Sequence, residues 1–388
     1  DQFERQAEAT QLVRDNFEAM HAGASVGWPE RFDASNQASA LQAAYDLKIA
    51  DDEAFASEYQ NEPLSDDRFG VTLDESDIVS KLSGLDRGRA PYWADMLTAG
   101  VDIQGDCLFW VVVAWKRDTF SGNVVDYGTF PDQSTRIFRK SRLPDTLAHA
   151  FPDIDNREDR IREGLRLLIK RLFREYQRED GVEGFLTVDR CAIDANWFET
   201  TELVYQYCRN NPLPVTPSHG QGITAGKRPL SQYKRDDKTI RNGVEWRFLR
   251  NEKRGYAPEL IVDSNYWKTW LVNRFAQSLG SRGSLELFGD DPATHALLAK
   301  HLKSEYRIPT TGYGRQVDEW KLPPDRPDND WLDCLVYASC AASLEGAMLS
   351  GEKSLRDQRR DESRTQETRP LSERARNGRR LGKPRRLS

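Results

Sequence analysis

The sequence predicts an α/β domain in which a mixed β-sheet carries helices on both faces, and three stretches carry that prediction. Leu97–Ile103 is apolar, Gln104–Asp106 holds a Gly-Asp turn, Leu108–Trp115 is a strong β run, and residues 116–123 turn again into VVDYGTF. That pattern is a three-strand antiparallel meander. Residues 157–179 follow as an amphipathic helix, with Ile161, Leu165, Leu168, Leu172 and Tyr176 on one face. The β-branched run GFLTVDRCAIDANW then closes on Asp194 and leads into the helical ETTELVYQYCRN and a short strand at LPVTP. The order β-β-β-α-β-α-β asks for helices on both sides of the sheet.

The flanks divide the chain. Residues 1–90 read as a polar helical linker: DQFERQAEATQLVRDNFEAMHAG ends at Gly23, and ASALQAAYDLKI follows the loop SVGWPERFD. The apolar spacing there offers no independent core. Residues 91–348 form the domain, with a basic, loop-like stretch over 218–262, a hairpin around VEWRFLR and ELIVD, and Asp263 as a helix cap. A helix over 328–348 closes it, its start marked by Asn and Asp and its apolar set including Trp331, Leu332, Leu335 and Val336. Residues 349–388 are Arg-rich and poor in apolar groups, the composition of a disordered tail.

Composition narrows the chemistry. Residues 351–388 hold 13 Lys and Arg against 6 Asp and Glu, leaving 43 against 56 in residues 1–350. An acidic body with gathered carboxylates suits divalent cations, and a basic tail suits phosphate contact. The cysteines (107, 191, 208, 334 and 340) are scattered without a CxxC pair, and no histidines are spaced as HExxH. Neither a disulfide framework nor a thiolate zinc site is expected, so any metal would be held by oxygen. No apolar run reaches membrane-spanning length, and the start at Asp1 lacks the basic and apolar segments of a signal peptide. The expectation is a chain of a reducing cytoplasm, without a membrane segment, that is a fragment or a processed product.

Three aspartates stand where chemistry could gather: Asp102 near the end of the first strand, Asp194 ending the fourth, and Asp333 in the first turns of the last helix, with Asp330 as a secondary acid. If the first and fourth strands run parallel and adjacent, Asp102 and Asp194 meet at one sheet edge. Close carboxylates raise one another's pKa, and two Mg²⁺ or Mn²⁺ ions about 4 Å apart relieve that repulsion while catalysing phosphodiester hydrolysis. Blander roles stand beside this one: turn residues for Asp102 and Asp106, and helix caps for Asp194 and Asp330. Asp333 is the hardest to explain that way, because it lies past the cap among apolar neighbours. Along the helix over 157–179, Arg162, Arg166, Lys170 and Arg174 form a basic stripe, read as a solvated face or as a DNA contact. In GQGITAGKR a Walker motif fails, since Gln221 and Arg228 occupy positions that need Gly and Ser or Thr, yet Lys227 and Arg228 could drape over a phosphate backbone.

These motifs resemble the large terminase subunits of tailed phages, lambda-like branch, in their C-terminal RNase H-like nuclease domain. FASEYQNEPL is similar to the segment leading out of the ATPase domain, and LTAGVDIQGD to the first nuclease strand with Asp102. AIDANWFETTELVYQYCR resembles the second acidic motif, with Asp194, and VDEWKLPPDRPDNDWLDCLVYASCAA the last, with Asp333. The chain departs from the pattern at Ala195-Asn196-Trp197 and at His219-Gly220, where glycines and a Lys-Gly are common. The resemblance implies a metal-dependent endonuclease that cuts concatemeric double-stranded DNA, without the packaging ATPase half, whose Walker motifs are not found in this sequence. It also implies the terminase small subunit and the portal as partners, and homo-oligomers in the motor. A transposase of the DDE type or a junction resolvase would use the same three carboxylates, and a non-catalytic module docking on portal or DNA would need none.

Overall fold

Strand alternation decides where the carboxylates point. The structure is a computed structural model that describes residues 2–50, 73–179, 181–233, 240–249 and 257–349. The expected tail, the FASEYQNEPL segment and the basic KRDDK stretch lie outside the described residues. Nine strands form one mixed sheet: β1 (Met96–Ile103), β2 (Leu108–Trp115), β3 (Gly122–Phe130), β4 (Val188–Asp194), β5 (Val215–Gln221), β6 (Ile240–Gly243), β7 (Trp246–Leu249), β8 (Glu259–Asp263) and β9 (Leu285–Leu287). Their spatial order is β9-β3-β2-β1-β4-β5-β8-β7-β6. The first three strands are the expected antiparallel meander, with Asp102 opposite Phe109 and Gly105 supplying the positive φ of the turn. β4 runs parallel beside β1, with Val101 opposite Ile193, so Asp194 at the end of β4 and Asp102 one residue before the end of β1 lie on adjacent strands.

The helices are α1 (Gln2–Asp15), α2 (Phe17–His21), α3 (Ala40–Ala50), α4 (Arg157–Leu172), α5 (Phe198–Asn210), α6 (Ser264–Ala276), α7 (Ala296–Leu302) and α8 (Asp330–Leu344), beside shorter helical turns. Every residue of β1 and β2 is buried, as helix layers on both faces require. One core joins Leu97, Ala99 and Val101 to α4 and α5, and the other joins Phe109, Val111 and Trp115 to α6, α7 and α8. Because side chains alternate, Thr98, Gly100 and Asp102 face the α8 side, as do Ala192 and Asp194 of β4. Gly100 permits the contact: a Cβ there would lie 1.9 Å from the Cys334 carbonyl oxygen. Thr98 donates to the Ala338 carbonyl (2.7 Å) and accepts from the Trp115 indole (2.8 Å), which pairs two buried polar side chains of β1 and β2 beneath the helix.

Elsewhere the structure adjusts the expected elements. The helix expected over 157–179 stops at Leu172, with Phe173 as its C-cap. Tyr176–Gln177 instead pairs with Phe185–Leu186, and Ala90 exchanges backbone hydrogen bonds with Gln177 and Glu179, so sheet partners replace the last turns. The strand expected at LPVTP continues to Gln221, and the hairpin around VEWRFLR and ELIVD is present as β7 against β8. β10 (Tyr306–Gly312) and β11 (Arg315–Lys321) form a separate hairpin.

Asp263 is the expected cap of α6. Its side chain accepts from the Asn265, Tyr266 and Ile223 amides, and burial pushes its pKa up to about 7. Asp263→Ala is expected to lower stability by about 1–2 kcal/mol in urea melts, the usual cost of a lost cap.

Candidate active site

At the carboxyl ends of β1, β4 and β5 lies a cavity of about 270 Å³, lined among others by Asp102, Asp194, Asp333, Asn196, Lys268 and Tyr337. The structure thus brings the three expected aspartates to one place. Asp102 is buried, and its carboxylate accepts from the Gln104 side chain (2.8 Å). Burial pushes its carboxyl well above the usual range, and the charges of Asp330, Asp194 and Asp333 push it further. Asp194 accepts from the Tyr337 hydroxyl (2.5 Å) and the Asn196 amide (3.3 Å). Burial raises it to about 6 against the Tyr337 hydrogen bond, which holds it down. Tyr337 Oη also accepts from the Gly220 amide (3.2 Å) and the Asn196 side chain (3.3 Å), so the hydroxyl that donates to Asp194 is fixed.

Asp333 Oδ1 pairs with the Lys268 ammonium at 2.9 Å, and its Oδ2 accepts from Asn329 at 2.9 Å. Neither Asp194 nor Asp330 is a helix cap: the N-caps of α5 and α8 are Trp197 and Asn329. Asp330 is fully buried and paired with Lys140 at 2.7 Å. Burial lifts Asp330 to about 6 despite that pairing. Its other oxygen lies 3.9 Å from His301 Nδ1, a ring that burial keeps neutral by lowering its pKa to about 3. Lys140→Met should therefore cost about 2–3 kcal/mol, less than a fully buried pair because Lys140 is partly solvated. The loss should shrink at pH 5, where Asp330 is protonated; urea melts at pH 5 and 8 measure both.

The basic candidates do not converge on the cavity. α4 covers the opposite face of the sheet, where Arg166 holds Glu163 through two bonds (2.8 and 2.6 Å) and Arg162 and Lys170 are exposed. Arg174 lies beyond the helix end and, with Arg87, clamps the buried Asp126. Lys227 is exposed, and Arg228 bonds the Gln232 carbonyl beside the Tyr233 ring. Their loop is braced by Arg315, which donates to the Thr224 and Lys227 carbonyls. Sequence reasoning missed Lys268 and Glu305; for Tyr337 the signal in the sequence is its spacing, since Asp330, Asp333 and Tyr337 stand at i, i+3 and i+7 on one helical face.

Among the described residues, no three His, Cys, Asp or Glu side chains converge as a ready metal cage, since Asp333 is turned to Lys268 and Asn329 and Asp194 to Tyr337. The donor chemistry still fits hard divalent cations. Three carboxylates share one cavity, Asp102 has no cationic partner within 4.0 Å among the described residues, and mutual repulsion is what a cation would relieve.

Fold and cavity together define a class: an RNase H-like α/β domain whose acidic residues meet where its central parallel strands end. A family model described as terminase large subunit gpA, endonuclease domain, matches residues 36–353, and the chain belongs to that family. It is accordingly an endonuclease of phage DNA packaging, as the motif resemblance implied. Comparison with curated proteins and with solved structures found no match. Among the described residues no helix is long and apolar enough to cross a membrane.

Proposed function

We propose that the chain hydrolyses the phosphodiester backbone of concatemeric double-stranded phage DNA, with Asp102, Asp194 and Asp333 holding two Mg²⁺ or Mn²⁺ ions. One observation carries this reading: two parallel strands end side by side in aspartates on the face covered by the helix that bears the third, and all three line one cavity. Such ions, when bound, supply Lewis acidity toward the phosphate oxygens and a lowered pKa for the attacking water. The chain supplies placement. Gln104 bonds Asp102, Tyr337 bonds Asp194, and Asn329 and Lys268 hold Asp333, so each donor is anchored at the cavity and exchanges a protein contact when a cation binds. The terminase small subunit, the portal and further copies of this chain in the motor are the partners this reading carries, and Lys227 with Arg228, in the loop that follows β5, is its DNA-contacting pair. The family match favours packaging over the transposase, resolvase and docking readings of the same residues.

Supercoiled plasmid incubated with Mn²⁺ should be nicked and linearised, and chelation should stop it; plasmid left intact by folded protein would overturn the proposal. Stability supplies a second check. Asp194, Asp330 and Asp263 are all raised by burial, to about 6, 6 and 7. The folded state therefore keeps protons that the unfolded chain releases above its ordinary aspartate pKa. The stability these groups contribute is full below about pH 4 and is lost as pH rises through 6–7. Metal-free melting temperature should fall across that window, whereas stabilisation by Mn²⁺, which needs ionised carboxylates, should grow. Melts at pH 5 and 7.5 with and without Mn²⁺ test both signs.

A further inference from the structure

Lys268 stands one turn into α6 and is 7% exposed. Its ammonium lies 2.5 Å from Glu305 Oε1 and 2.9 Å from Asp333 Oδ1. Asn329 repeats the bridge from the other side, donating to the same Glu305 oxygen and to Asp333 Oδ2, both at 2.9 Å. One buried cation therefore serves two carboxylates of different character. Glu305 has a 5% exposed side chain and does not line the cavity, whereas Asp333 is 30% exposed and does. A buried lysine needs one carboxylate to offset its charge, so the second contact is the releasable one.

We propose that Lys268 is a resident counter-cation that holds Asp333 in place and competes with a divalent ion for Asp333 Oδ1, so that it sets the affinity of the site for metal. The inference rests on the reading of the three aspartates as ligands. An ammonium this close to a ligand oxygen repels an arriving dication, and Glu305 gives the lysine somewhere to stay when Asp333 turns away. Lys268 is thus a positioning residue, and its signature is a change of metal affinity in a defined direction.

The experiment is calorimetric titration of folded protein with Mn²⁺ at pH 7.5. The double variant Lys268→Met/Glu305→Gln removes the ammonium together with its buried partner and leaves no unpaired buried charge. It should bind Mn²⁺ at least about tenfold more tightly than the wild type. Glu305→Gln alone leaves Lys268 wholly to Asp333 and should weaken Mn²⁺ binding. Opposite signs from two changes in one network are not what a purely structural role gives. If the wild type binds Mn²⁺ and the double variant binds no more tightly, the role of Lys268 is overturned while the ligand reading stands. If no protein binds Mn²⁺, the ligand reading falls and this inference falls with it.

Discussion

Asp102→Asn is expected to lower plasmid cleavage by about a thousandfold or more while making the metal-free protein more stable. The two effects have one cause. Asp102 is a buried carboxylate without a cationic partner among the described residues, repelled by Asp330, Asp194 and Asp333. Folding therefore works against its charge, and an amide of the same shape removes that cost while still meeting Gln104. The gain, about 2–4 °C in melting temperature, should widen as pH rises, because a raised carboxyl costs most where the unfolded chain would be ionised. Asp263 is also raised by burial but accepts from three amides, so removing its side chain should cost stability rather than add it. If Asp102→Asn destabilises the protein and cuts at the wild-type rate, Asp102 is a strand residue and not part of the active site.

Much of this arrangement was legible in the chain because it depends on local periodicity. The meander, the Gly-Asp turn, the strand closing on Asp194 and the last helix each carry their own pattern, whereas the parallel pairing of the first and fourth strands was a condition that only the structure supplies. Asp333 was legible because a carboxylate among Trp331, Leu332, Leu335 and Val336 fits no cap. The partners of these acids were not legible. Lys268 lies amid the aromatic residues of α6 and meets Asp333 only because α6 and α8 pack on the same face of the sheet; nothing in its neighbourhood separates it from other lysines. Glu305 follows α7 in the segment leading to β10 and is equally plain in sequence. The premature end of α4 was hidden for the same reason, since the competing partners of residues 176–179 are Phe185, Leu186 and Ala90, which no helical period reveals.

The close packing of α8 on β1 gives the second large effect. Gly100→Ala would place its Cβ 1.9 Å from the Cys334 carbonyl oxygen, 2.8 Å from that carbonyl carbon and 3.1 Å from the Ala338 amide nitrogen. All three are backbone atoms of a buried helix, so no rotamer change relieves the clash, and α8 must shift by roughly 1 Å or the strand must bend. Overpacking of this kind costs about 2–4 kcal/mol, which urea unfolding will read. Activity should fall by more than the folded fraction does, because Asp333 rides on α8, and a displacement near 1 Å is worth about a hundredfold in rate. Gly226→Ala is the control: its nearest neighbour to a new Cβ is Thr224 Oγ1 at 4.0 Å, so stability should change by less than about 0.5 kcal/mol. If Gly100→Ala lost stability but kept the wild-type rate per folded molecule, the position of Asp333 against β1 would be irrelevant to cutting. If it lost both, the missing methyl group at residue 100 is what brings the third carboxylate to the other two.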